Sequence, residues 1–251
     1  MESRRRLVRL GSILAVPVLW FVASRFGLIA GLPTPVEVAD AYVAELYRDD
    51  FWISTVQSTI RVLASFAVAA AVAVPLGLLI GRYTIFADLT FPALEMLRPI
   101  PPIAWIPFTI LVLPAAELSI MFITFLGAFF PILLNTVQGA RGVEVEYPRA
   151  AQSLGANSYQ TFRHVIFPGA LPAIHAGMIV GMGLAWVNLI AAEMVAGGTG
   201  LGFLTWSAYT SGSYPTIIVG VITIGLLGAI SSALVRLLGD WQIGWTEPRP
   251  N

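Results

Sequence analysis

Apolar and polar positions along this chain segregate into long blocks rather than short alternations. Apolar runs cover Leu10 to Ala30 (broken by Arg25), Val62 to Gly81, Pro99 to Ala116, Leu118 to Ala140, Leu171 to Ala192 and Pro215 to Val235. Charged residues mark their edges: Arg61 and Arg82, Arg98 and Glu117, Glu193, Arg236. A membrane-spanning helix needs about 20 mostly apolar residues. The pattern therefore predicts an all-α membrane protein, residues 1–251 forming one domain with about six transmembrane helices. Arg4, Arg5 and Arg6 ahead of the first run also fit the start of a secretory signal peptide. The run lacks a clear small-x-small cleavage site before Gly27, so a span is the preferred reading. The acidic segment Gly31 to Asp50 predicts a short amphipathic helix after Pro35, and Gly239 to Asn251, with Pro248 and Pro250, an irregular tail.

Composition sharpens this. Hydrophobic residues make up 57% of the 251 and charged residues 11%, against about 25% charged in soluble domains. There is no cysteine, so disulfides and thiolate metal sites are excluded. There is no lysine either, so a P-loop, which needs one to reach nucleotide phosphates, is excluded. The net charge of zero gives no reason to expect nucleic acid. All cationic side chains are arginines, and with six spans they fall unevenly. Arg4, Arg5, Arg6, Arg9, Arg82, Arg98, Arg141, Arg149, Arg163, Arg236 and Arg249 share one side; Arg25, Arg48 and Arg61 take the other. The positive-inside bias makes the first side, with both termini, cytoplasmic.

One cytoplasmic stretch, about 141–170, is unlike a plain connection. EYPRAAQSLGANSYQTFRHVIFPGALPAI (Glu146 to Ile174) mixes charges, amides, hydroxyls and prolines. Pro148 suits the first turn of a helix, Arg149 to Leu154 continues it, and Gly155 suits its end. A second short helix is expected over Ser158 to Phe167, before Pro168 and Pro172 re-aim the chain. Two short helices around a glycine make a knob that a partner can grip through Ala150 and Ala151. An ordinary loop is the other reading, although helix connections in bundles usually run 2–8 residues.

These residues resemble the cytoplasmic motif E-A-A, three residues, G, nine residues, I-x-L-P of the membrane subunits of prokaryotic ABC importers. Ala150 and Ala151 match the alanines and Gly155 the glycine; Val165, Phe167 and Pro168 match I, L and P after Ala156 to His164. Arg149 stands where the family has its acid. The blocks LPTPVEV, STIRVLASF, RPIPPIAWIPFTILVL, FFPILLNTVQGAR, AAEMVAGGTGLGFL and IGLLGAISSALVRLL resemble, in order, one subfamily, from Leu32 to Trp245. That subfamily transports nitrate, sulfonates, taurine and bicarbonate, and related members pyrimidine-type vitamin precursors. The resemblance implies a type I importer transmembrane domain in a prokaryotic inner membrane. It implies two permease copies, identical or related, and an external solute-binding protein. It also implies two cytosolic ATPase subunits, which carry the ATP and Mg and accept the knob built on Arg149, Ala150, Ala151, Leu154 and Gly155. No cofactor is expected on this chain.

Other features invite chemistry. RPIPPIAWIP, with Pro101 and Pro102, reads as an interfacial entry loop to the third span, or as a broken helix near the solute pathway. Glu193 is placed near the outer edge, where a charge is cheap, and Arg61 near the outer start of the second span, where it can snorkel to headgroups or attract an anion. Both are candidate pathway or gate residues. Asn135 and Asn188 are expected to bond between helices. GGTGLG (Gly197 to Gly202) follows an apolar helix with no lysine after it, so it reads as a tight outer turn rather than a phosphate loop. His164 and His175 have no neighbours spaced for a metal site, and no catalytic constellation is evident. The competing class is an autonomous secondary transporter or channel. Such proteins tend to hold carboxylates near mid-membrane and internal repeats; the predicted span centres contain no acid and the halves are not duplicated.

Overall fold

The computed structural model describes residue 15, residues 17–29 and residues 31–242, and within these the ordered elements are helices. Residues 17–25 form α1, whose Trp20 indole donates to the Pro33 carbonyl at 3.0 Å. Within the first predicted span, residues 26–29 form turns beyond α1, while residues 10–14, 16 and 30 lie outside the described residues. Helix α2 (Pro35–Leu46) begins as expected after its proline. Thr34 caps it, its hydroxyl accepting from Glu37 N–H while the Glu37 carboxylate accepts from Thr34 N–H, the reciprocal arrangement that satisfies two orphan donors.

Among the described residues, four helices are long and apolar enough to cross a membrane: α3 (Asp49–Arg82), α6 (Ala116–Arg141), the helix Ser158–Ala196, and α11 (Tyr214–Gln242) over Tyr214–Trp241. Helix α3 starts well before the predicted Val62. Its 34 residues reach about 51 Å at 1.5 Å per residue, so Arg61 sits inside it rather than at its mouth.

The third predicted span, Pro99 to Ala116, is not one continuous helix. Thr84–Leu97 forms α4, a 3-10 turn follows at Pro102–Trp105, and α5 (Ile106–Val112) is seven residues long. Proline cannot donate to a helical ladder and disfavours helical backbone in the residue before it, which accounts for the break at Pro99, Pro101 and Pro102. The second short helix predicted over Ser158 to Phe167 also differs. Helix α8 (Ser158–Thr161), a π turn (Phe162–Ile166) and α9 (Phe167–Ala196) run on as one element. Pro168 falls in the first turn of α9, and the π turn re-registers the ladder just ahead of it, Phe167 N–H reaching the Phe162 carbonyl. The predicted irregular tail is helical through Gln242, the end of α11; its remainder lies outside the described residues.

Helix α6 sits between α3 and α9, and small residues let the three backbones close up. A Cβ on Gly127 would lie 2.5 Å from Asn188 Nδ2, and one on Gly77 2.7 Å from Thr136 Cβ. The shared core takes Val62, Ala69 and Ala73 from α3, Ile123, Ala128 and Ile132 from α6, and Met182, Ala185 and Leu189 from α9. Between apolar helices in lipid, close packing of this kind replaces the hydrophobic effect as the source of association.

Candidate functional site: a docking knob and a buried ion cluster

The knob is α7 (Glu146–Ser153), which has no buried residue. It ends at Leu154 and Gly155. Gly155 has φ +89, its N–H bonds the Gln152 carbonyl at 2.9 Å, and Ala156 N–H bonds Ala151 at 3.0 Å. That pair of bonds is the Schellman closure, which needs a left-handed residue at the position of Gly155. A Cβ there would meet nothing, so backbone conformation, not space, selects glycine. The turn leaves Leu154 90% exposed, with Tyr147 and Tyr159 also exposed. Arg149 and Ala150 are exposed and Ala151 half-buried.

The second half of the motif behaves differently. Asn157 and Gln160 exchange side-chain-to-backbone bonds of 2.9 and 2.8 Å that start α8. This capping box is spelled N-x-x-Q in the sequence. Val165, Phe167 and Pro168 are half-buried and Ile166 is buried. Phe167 packs against the cluster formed by Leu78 of α3, Ala140 of α6 and Ala170 and Ile174 of α9. So Arg149 to Gly155 forms the exposed tip, and Val165 to Pro168 anchors it to the bundle.

The ion cluster lies at the far end of α9 from the knob. Glu193, in the last turn of α9 as its edge placement expects, is 0% exposed and Arg61 is buried, so Arg61 does not snorkel. Arg61 Nη1 donates to Glu193 Oε1 and to the Thr199 carbonyl, both at 2.8 Å. Its Nε and Nη2 grip the Glu117 carboxylate at 2.7 and 2.5 Å. Ser58 Oγ lies 2.8 and 2.9 Å from the two Glu193 oxygens and accepts from Leu201 N–H at 2.9 Å. Gly202 N–H donates to Glu193 Oε2 at 2.9 Å. The carboxylate thus meets the first N–H groups of α10 (Leu201–Thr210), where a helix dipole favours negative charge. A Cβ on Gly202 would lie 2.5 Å from the Ile190 carbonyl, and Gly200 has φ +120 against the Glu193 carboxyl. GGTGLG is therefore a tight turn rather than a phosphate loop, and one shaped around a carboxylate.

Glu117, Ser58 and Thr199 were missed as site residues, Glu117 being marked only as a span edge. A signal was present: Ser54, Ser58, Arg61 and Ser65 recur on one helical face of an apolar segment. The asparagines also differ from expectation. Asn135 Nδ2 bonds the Pro131 carbonyl and Asn188 Nδ2 the Leu184 carbonyl, both at 2.8 Å and both within their own helices. Pro101 is exposed, and Pro102 lines an apolar depression with Leu97, Trp105 and Phe122 rather than the charged cluster. Above the cluster, Ser54 and Thr199 help line a polar cavity of about 470 Å3 with Glu45, Arg48, Ser207 and Thr216. Among the described residues no group of three or more His, Cys, Asp or Glu is placed to hold a metal.

Comparison with known proteins agrees with the motif at the knob. The chain is 40% identical to a putative ABC transporter permease protein of Methanocaldococcus jannaschii over 195 residues, 77% of this chain and 73% of that one. It is 34% identical to the nitrate import permease protein NrtB of Synechocystis over 236 residues, 90% of this chain and 86% of that one. It is 31% identical to the bicarbonate transport system permease protein CmpB of Synechococcus elongatus over 248 residues, 94% and 88%. Residues 73–250, which hold the whole knob, Glu117, Glu193 and the glycine turn, match the model for the binding-protein-dependent transport system inner membrane component, and the chain belongs to that family.

Proposed function

We propose that this chain is the membrane-spanning subunit of an ATP-driven importer for a small anion of the nitrate, sulfonate, taurine or bicarbonate type, delivered by an external binding protein. It works in a prokaryotic inner membrane as one of two permease subunits, with two cytosolic ATPase subunits that hold the ATP and Mg. It has about six membrane-crossing segments, the interrupted stretch Thr84–Val112 counting as the third, and both termini lie in the cytoplasm.

The observation that carries the docking role is the solvent-facing knob. Helix α7 buries none of its residues, yet Tyr147 in its first turn and Leu154 at its tip face solvent. Helical backbone set by a Schellman turn, carrying exposed apolar side chains outside the bundle, suits a surface that a partner covers. The anion class is supported by the printed functions of the nitrate and bicarbonate relatives. The missing lysine assigns nucleotide chemistry to another chain.

Purification of the tagged chain from native membranes in mild detergent tests the assembly. A soluble subunit with a Walker A sequence is expected in equal amount; a clean oligomer of this chain alone, also after crosslinking in the membrane, defeats the proposal. For the knob itself, Gly155→Pro removes the left-handed turn and Ala151→Arg crowds it. Each is expected to abolish transport while membrane insertion persists, and wild-type transport by either variant refutes docking through α7.

A further inference from the structure

The geometry points to Arg61 as an oxyanion-binding residue on the solute route, with the Glu117 carboxylate occupying the solute's place in this conformation; this rests on the transport reading above. The two edges of the guanidinium are used differently. One edge is fixed: Glu193 is fully buried, and Ser58 and Gly202 N–H hold both its oxygens. The other edge, Nε and Nη2, grips Glu117, whose side chain is 49% exposed. Thr199 Oγ1 approaches that edge only at 3.4 Å. A planar fork presenting two parallel N–H bonds matches any group with two coplanar oxygens. A carboxylate, nitrate and bicarbonate share that shape, and a sulfonate offers two of its three oxygens. Exchange of the Glu117 carboxylate for such an anion leaves the charge facing Arg61 unchanged and releases a half-exposed carboxylate to water.

A polar track leads to and past this point. Ser54, Ser58, Arg61 and Ser65 are all buried on one face of α3. Ser54 and Thr199 line the outer cavity of about 470 Å3. Beyond Arg61, the hydroxyls of Ser65 on α3 and Ser119 on α6 are buried without a hydrogen-bond partner. The buried hydroxyls of Thr124 and Thr136, further along α6, instead bond the carbonyl four residues back. A buried unsatisfied hydroxyl is costly, so each asks for an explanation. Donors on the two helices that carry Arg61 and Glu117 are the groups a dehydrating oxyanion needs.

The test uses the purified permease with its ATPase subunits in lipid nanodiscs, without binding protein. The unfolding midpoint is followed against potassium nitrate, sodium bicarbonate and taurine in separate series, with potassium chloride as the ionic-strength control. Wild type is expected to be stabilised by at least one of the three beyond chloride. Glu117→Gln should reach the same shift at lower concentration, by roughly tenfold if the Glu117 pair closes the site nine-tenths of the time. Arg61→Gln should lose the shift, and Arg61→Lys, which keeps the charge without the fork, should need more anion than wild type. No oxyanion response in wild type and Glu117→Gln overturns the inference. So does unchanged or weaker anion sensitivity in Glu117→Gln, or a full response in Arg61→Gln. ATPase subunits retained by all variants leave the transport reading standing whichever way the anion series falls; their absence from the wild-type preparation defeats that reading separately.

Discussion

Ser58 shows how much one hydroxyl organises in an apolar bundle. It lies within hydrogen-bond distance of both Glu193 oxygens and accepts from Leu201 N–H, so it joins α3, α9 and α10 at one atom. Removing it strands a backbone donor and thins the solvation of a fully buried carboxylate. Such losses cost about 1–3 kcal/mol per group. Ser58→Ala should therefore lower the unfolding midpoint of the purified protein in detergent, while Ser153→Ala, whose exposed hydroxyl bonds only the Arg149 carbonyl of its own helix, should leave it nearly unmoved. Equal effects of the two substitutions would show that the cluster adds no stability. The same residue explains why Arg61 was misplaced from sequence. A lone Arg61 thirteen positions into a helix looks expensive until its two carboxylates, 56 and 132 residues away, come to it. That pairing is long-range and leaves no local mark beyond the serine spacing on α3.

Among the longer helices, α7 stands apart because none of its residues is buried. Its amides should exchange rapidly with deuterium in the isolated permease, since helices with few buried contacts open locally at little cost. With ATPase subunits bound, exchange over Glu146–Ser153 should slow while α6 and α9 stay protected in both states. Unchanged exchange on α7 would mean the partner grips elsewhere. The positions of α3, α6, α9 and α11 were legible in their apolar blocks, because hydropathy and charge at the ends suffice to place a spanning helix. Their lengths were not: α3 extends back to Asp49 through Thr55, Gln57 and Ser58, polar residues that read as loop until the cavity and α10 are seen beside them. The π turn at Phe162–Ile166 escaped for a related reason. Prolines 168 and 172 signal a break, but the wide turn re-registers the ladder ahead of Pro168, and α9 carries Pro172 in its interior without ending. The motif itself was readable residue by residue; its division into an exposed tip and a buried anchor depends on Phe167 packing against a cluster that takes Leu78 and Ala140 from other helices.

At the scale of the molecule, the knob and the ion cluster occupy opposite ends of one long helix. Ser158 and Glu193 are joined by continuous helical backbone, which at 1.5 Å per residue separates them by about 50 Å, enough to cross a membrane and its headgroups. Exposed aromatic residues gather at both ends of the bundle, Tyr47, Trp52 and Tyr209 at one and Tyr83 and Trp241 at the other, as amphipathic rings do at the two faces of a bilayer. The proposed mechanism needs these ends on opposite sides: the cluster and its cavity outside, where a binding protein delivers solute, and the knob inside, where ATP is hydrolysed. The chain has no cysteine, so single cysteines can report sidedness without background. Tyr47 and Leu154 are 86% and 90% exposed and tolerate the change on steric grounds. With a membrane-impermeant maleimide, Tyr47→Cys should label in intact spheroplasts and Leu154→Cys only in inside-out vesicles stripped of soluble subunits. Readdition of the ATPase subunits should then protect Leu154→Cys and leave Tyr47→Cys reactive. The reverse sidedness would put the knob where no ATPase can reach it, and would remove the proposed coupling even though the family assignment would remain.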